Sequence, residues 1–117
     1  MRLSDVKGER TLDVIAELID PVANIAEDEN ASAMFKRERV PDGMTAKQFV
    51  SQRVRKSLPV LLKDHKRDLI AILSTIGGVS YEEYAETLTL QKLLSDVAEL
   101  LTDEAFTEFF ISAQQTD

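Results

Sequence analysis

The chain has 117 residues, 44% of them hydrophobic, no Cys and a formal charge of −7. That is enough apolar material for one core and too little for two ordinary domains. The absence of Cys excludes disulfides, thiolate nucleophiles and Cys-ligated metals, and no stretch approaches the ~20 apolar residues that span a bilayer.

Apolar residues recur at three- and four-residue steps, and no Asn-Gly or Asp-Gly hairpin turn separates alternating runs. The expected fold is all-α, a compact bundle of about six or seven short helices forming one domain over residues 1–111. Leu12, Ile15, Ala16 and Ile19, continued by Val22, mark the apolar face of a first helix from about Glu9 to Ile19. Asp20-Pro21 reads as a helix restart, because Pro lacks the N–H that a helix interior needs. Glu27-Asp28-Glu29 ends that segment.

Ala31 to Arg39 reads as a short helix carrying Met34 and Phe35, followed by a Pro41-Asp42-Gly43 turn. Thr45 and Gln48 make a capping box over a helix with Phe49, Val50 and Val54. Ser57-Leu58-Pro59 marks its end or a kink. The next helix starts either at Pro59 or at an Asp64 cap, runs through Ile76 and stops at Gly77-Gly78. Ser80 and Glu83 suggest a second capping box, over Tyr81 and Tyr84. Leu90, Leu93, Leu94, Val97, Leu100 and Leu101 define a further helix. Thr102 is expected to cap the last one, with Phe106, Phe109 and Phe110 on its apolar face and a polar tail fraying from Ser112 to Asp117.

Charge is banded along the chain. Residues 1–35 carry three basic and eight acidic side chains, residues 36–67 ten basic and three acidic, and residues 68–117 one basic and ten acidic. Such a pattern can pair internally, stack copies head to tail, or bind an acidic partner. The net negative charge disfavours nucleic acid, and 6% aromatic content without Trp removes the usual stacking platform for single strands. Arg2, Asp5, Lys7, Glu9 and Arg10 interrupt the start, so nothing there reads as a signal peptide and a soluble intracellular location is expected.

No catalytic constellation stands out, and neither an enzyme nor a cofactor is expected. His65, the one histidine, sits among Lys63, Asp64, Lys66 and Arg67 and reads as a solvated first-turn residue. Metal-ligand spacings and calcium loops are missing. Gly77-Gly78 lacks the Lys-Ser/Thr that completes a phosphate loop. Glu82, Glu83 and Glu86 read as a solvated face. Two clusters are better candidates for partner contact. Arg53, Arg55 and Lys56 are the centre of a basic surface that Lys63, Lys66 and Arg67 can extend. Phe106, Phe109 and Phe110 either close the core or plug into another subunit. Adjacent Phe109 and Phe110 cannot point the same way, so one of them faces outward.

From LSDVKGERTLDVIAELIDPVANIAED to GGVSYEEYAETLTLQKLLSDVAELLTDEAF, the chain resembles a tail assembly chaperone of long-tailed phages and prophages of Gram-positive bacteria. The resemblance covers nearly all of the sequence and rests on overall pattern, with no catalytic motif. It implies a small helical protein that coats the tape measure protein, keeps it soluble and helps recruit tail tube subunits. It further implies self-association, no membrane partner, and a place in the bacterial host cytoplasm but not in the mature virion. Some members of such families are also made in a frameshift-extended form. On this reading Phe106, Phe109 and Phe110 supply apolar contacts, and Arg53, Arg55 and Lys56 meet acidic surfaces of the next copy. A head–tail connector or completion protein and a small helical DNA-binding regulator are the rival expectations.

Overall fold

Helix formation follows the predicted periodicity, but the first helix turns a different face inward than the simplest reading suggests. The computed structural model describes residues 2–35 and 39–114. After a single 3-10 turn, Leu3–Asp5, come α1 (Glu9–Ala26) and α2 (Glu29–Ser32), the latter continued by a 3-10 turn at Ala33–Phe35. The remaining helices are α3 (Ala46–Asp64), α4 (Lys66–Gly77), α5 (Tyr81–Thr87), α6 (Leu90–Thr102) and α7 (Glu104–Gln114). Among the described residues there is no strand, and the bundle is all-α as expected. Helix α1 lies against α4 and α7, α5 against α4, α6 against α7, and α2 with its following turn against α3.

Two expectations about α1 are corrected. Its buried side chains are Val14, Leu18, Pro21, Val22 and Ile25, whereas Leu12, Ala16 and Ile19 of the expected face stand in water. Both sets have helical spacing, but only the buried set continues to the end of the helix. The restart at Asp20-Pro21 does not occur, and one helix runs through Pro21. Its ring removes the N–H that would reach the Glu17 carbonyl, yet the row from Val14 to Ile25 stays in register. Burying Val22 and Ile25 contributes about 1.5–3 kcal/mol each, enough to offset the ~3 kcal/mol that an interior Pro costs.

Helix α3 likewise passes through Pro59, so neither a start at Pro59 nor an Asp64 cap separates it from α4. The break falls at His65, whose backbone (φ −129°, ψ 32°) leaves the helical region. Its N–H still reaches the Leu61 carbonyl at 3.0 Å, and its carbonyl accepts from Leu69 N–H at 2.9 Å. The helix expected over Ala31–Arg39 is shorter. It ends as a 3-10 turn at Phe35, Arg39 is not helical, and residues 36–38 lie outside the described residues. At the far end, Ser112 to Gln114 are helical rather than frayed, and residues 115–117 lie outside the described residues.

Capping follows the sequence in part. The Thr45–Gln48 box forms, with bonds of 3.0 and 3.1 Å. The Pro41-Asp42-Gly43 turn closes by Met44 N–H to the Pro41 carbonyl at 3.2 Å, with Gly43 at φ 82°. Ser80 accepts from Glu83 N–H at 3.1 Å, but the return bond that would complete a box is not made. Asp103, not Thr102, caps α7 by accepting from Ala105 N–H at 3.1 Å, while the Thr102 hydroxyl turns back to the Ala98 carbonyl. Gly78 (φ 75°) ends α4, and Arg10 of α1 donates to the Ile76 carbonyl at 3.3 Å, placing a cation at the negative end of that helix.

The core is continuous from Leu3 to Phe110. At one end Phe35, Phe106 and Phe110 form a ring cluster with centroids 4.9 to 6.2 Å apart. Buried Asp103 ties the N-terminal segment to the α6–α7 corner by accepting from the Ser4 hydroxyl at 2.9 Å and the Ser4 N–H at 3.4 Å. Phe106→Ala or Phe110→Ala is expected to cost about 3–5 kcal/mol, and Phe109→Ala less than half of that, because only Phe109 is half-exposed. Urea unfolding of the three variants checks the order.

Candidate interaction surfaces

Helix α3 carries the basic surface, and the structure divides the predicted trio. Ser57 and Leu61 are its only fully buried side chains among those described, so most of the helix faces water. Arg53 turns inward: it donates to the Ala33 carbonyl at 2.7 Å, and its guanidinium lies 5.3 Å from the Phe49 ring centroid. It joins α3 to the turn before it. Arg55 and Lys56 are exposed on the outer face together with Lys63. None of these three forms an ion pair with a described residue.

The aromatic trio is also divided. Phe106 and Phe110 are 0% exposed and are therefore removed from the set of surface contacts. Phe109 packs against the core and keeps partial exposure, which is the outward ring that adjacency required. The large apolar side chains left in water are aliphatic instead. Leu12 is 73% and Ile19 53% exposed on α1, and Leu90 is 71% and Leu94 47% exposed on α6. The sequence did carry a signal for the first pair. Helix α1 holds two apolar rows, Leu12–Ile15–Ala16–Ile19 and Val14–Leu18–Val22–Ile25, and one neighbouring layer cannot cover both.

His65 departs most from expectation. Its side chain is 11% exposed, with Nε2 2.8 Å from Asp28 Oδ2 and Nδ1 3.2 Å from Asp68 Oδ2. Asp28 also caps α2, accepting from Asn30 N–H at 3.0 Å and Ala31 N–H at 3.3 Å. Asn24 of α1 donates to the other Asp68 oxygen at 3.1 Å. Both ring nitrogens meet acceptors, an arrangement that only the imidazolium satisfies at both ends. Burial pulls the His65 pKa down, but the hydrogen bonds and charges of Asp28 and Asp68 outweigh it and raise the value above 6.5. Asp28 is held below 3.8, first by the His65 bond and then by the Ala31 N–H. Asp28 and His65 stand 37 residues apart, a separation that no local pattern reveals.

A cavity of about 180 Å³ lies between the end of α4, α5 and α6, bordered by Arg2, Glu83, Tyr84, Lys92 and Asp96. Tyr84 Oη donates to Asp96 Oδ2 at 2.6 Å, and Lys92 Nζ lies 3.3 Å from the same oxygen. Burial first, and then Asp96, push the Tyr84 phenol above its ordinary 10. The cavity falls below the ~300 Å³ at which ligand pockets begin. Glu82 and Glu86 remain exposed. Among the described residues no group of three or more His, Asp or Glu side chains is placed to hold a metal ion, and no helix is long and apolar enough to cross a membrane.

Comparison with known protein families, with curated proteins and with solved structures yields no match for this chain.

The Asp28–His65–Asp68 link has a predictable pH dependence. Folding raises the His65 pKa, so its contribution is complete below the unfolded value of 6.5 and is lost as pH rises through the folded value. Folding lowers the Asp28 pKa, so that contribution is complete above 3.8 and is lost as pH falls through the folded value. The melting temperature is therefore expected to peak between these limits and to decline on the alkaline side. His65→Gln, which cannot carry the charge, is expected to remove that alkaline decline. Thermal melts across the range check both.

Proposed function

We propose that this chain is a tail assembly chaperone, which binds the tape measure protein, keeps it soluble and helps recruit tail tube subunits in the host cytoplasm. The observation that carries the reading is the aliphatic row on α6. Leu90 and Leu94 lie one turn apart in water, and half-buried Leu101 continues their line two turns further on. Buried Val97 lies on the same line between Leu94 and Leu101, and half-buried Leu93 borders it, so the row runs into the core. An amphipathic helix laid along α6 would extend an apolar layer that already exists. Before a tube surrounds it, a long helical client exposes apolar stripes of the kind such a row would cover. Many copies, each binding weakly, would then hold one client by avidity and release it when tube subunits compete. No enzymatic step belongs to this role, and the chaperone would be absent from finished particles, where a connector would be retained.

Leu90→Ser/Leu94→Ser is expected to leave stability within about 0.5 kcal/mol, because both side chains are already solvated. Co-expressed with a helical tape measure fragment, the wild-type chain is expected to give a soluble complex with several copies per fragment, read by light scattering. The double variant is expected to leave the fragment insoluble. A fragment that stays insoluble with the wild type, or is equally soluble with both, counts against the reading.

A further inference from the structure

Leu12, Ala16 and Ile19 lie on one line along α1 and are all exposed. The line runs for about 10 Å at ~1.5 Å per residue. Glu9, Asp13 and Asp20 border it along one margin. All three are exposed, and none forms an ion pair with a described residue. The result is an aliphatic strip with an acidic rail, on the side of α1 turned away from the buried row of Val14, Leu18 and Ile25.

Charge narrows what can cover it. An antiparallel α1–α1 pair would set two acidic rails on the same side, where like charges repel. The acidic helices α5 to α7 face the same objection, since Lys92 is their single basic residue. One helix of this chain has the opposite character. Helix α3 presents Arg55, Pro59 and Leu62 on one exposed line, with Lys56 and Lys63 alongside. Leu62 is 40% exposed, the one large aliphatic side chain of that helix left substantially in water among those described. Within a copy, α3 rests on α2, its following turn and α4, while α1 rests on α4, α7 and α2, so the two faces are not used against each other.

We infer that the acid-bordered aliphatic face of α1 docks helix α3 of a second copy. Leu62 and Pro59 meet Leu12, Ala16 and Ile19, and the Arg55, Lys56 and Lys63 charges meet Glu9, Asp13 and Asp20. The contact joins two different faces, so each copy keeps one face free and the association runs head to tail. A strip this short buries less than the ~800 Å² per partner of a standard interface, which makes the contact weak and concentration-dependent. The inference concerns this chain alone and does not rest on its having a client.

Two face-specific variants test it. Leu12→Asp/Ile19→Asp removes the α1 face, and Arg55→Glu/Leu62→Asp removes the α3 face. Circular dichroism establishes folding, and Ile19→Ser and Arg55→Ala replace either variant that fails to fold. In sedimentation equilibrium the wild-type mass is expected to rise with concentration from 13.1 kDa toward its multiples. Each variant alone is expected to self-associate at least ~10-fold more weakly, the loss of about 1.4 kcal/mol of contact energy. Mixed in equal amounts, the two are expected to recover a heterodimer, because each supplies the face that the other lacks. That heterodimer is expected to weaken as salt screens the charges. A wild type that stays monomeric throughout overturns the inference. So does an α3-face variant that associates as well as the wild type, or a mixture that yields no heterodimer.

Discussion

Helix α1 has two apolar faces, and the bundle covers one of them. The remaining architecture depends on which. Val14, Leu18, Val22 and Ile25 form the row that α4 and α7 meet, and this row holds α1 in a single piece across Pro21. Arg10 at one end reaches the last turn of α4, and Asn24 at the other reaches Asp68 in its first turn, so the two helices run antiparallel along their length. Choosing this row leaves Leu12, Ala16 and Ile19 outside. Most surface helices of small domains place polar side chains there. Here the outer face is aliphatic, and its acidic margin limits what can lie on it.

Polar links at its middle and its C-terminal end, together with a shallow apolar seat, orient α3. A 19-residue helix with Ser57 and Leu61 as its fully buried described side chains has little core to hold it. Arg53 fixes its middle to the Ala33 carbonyl, and the Asp28–His65–Asp68 link fixes its C-terminal end. That link joins the end of α1, the start of α2 and the α3–α4 junction through one imidazole ring. A change at His65 therefore acts on the α3–α4 junction as well as on the α2 cap, where buried Leu61 and half-buried Leu58 and Val60 also hold the end of the basic helix against the core.

The fold class was legible because most of the helices combine recurring apolar spacing with a cap or stop that local chemistry dictates. Thr45 with Gln48, and Gly78 with its left-handed backbone, need only neighbouring residues to be understood. What remained hidden depends on distant partners. Pro21 looks like a break until the apolar row crossing it is seen to be buried, and Pro59 until its ring is seen on the exposed face of α3, with buried Ser57 and Leu61 on either side. His65 looks solvated because its carboxylates come from another helix junction and from the following turn. Phe106 and Phe110 are indistinguishable from surface aromatics until Phe35 arrives from the α2 turn to close a three-ring cluster. Arg53 and Arg55 differ by two positions, which on a helix turns one inward and the other outward, and the composition of the segment cannot tell them apart.

Exposed leucines and isoleucines invite indiscriminate association unless something restricts their partners. In this chain the restriction is electrostatic. A net charge of −7 keeps approaching copies apart on average. An acidic rail beside Leu12 and Ile19 rejects other acidic surfaces, including most of the chain's own. Repulsion of wrong partners selects as effectively as attraction to the right one. The positive segment between two negative ones then has a physical use. Among the described residues it places Arg55, Lys56 and Lys63 beside exposed Leu62, so the outer face of α3 can approach the α1 strip with its charges opposed to the acidic rail.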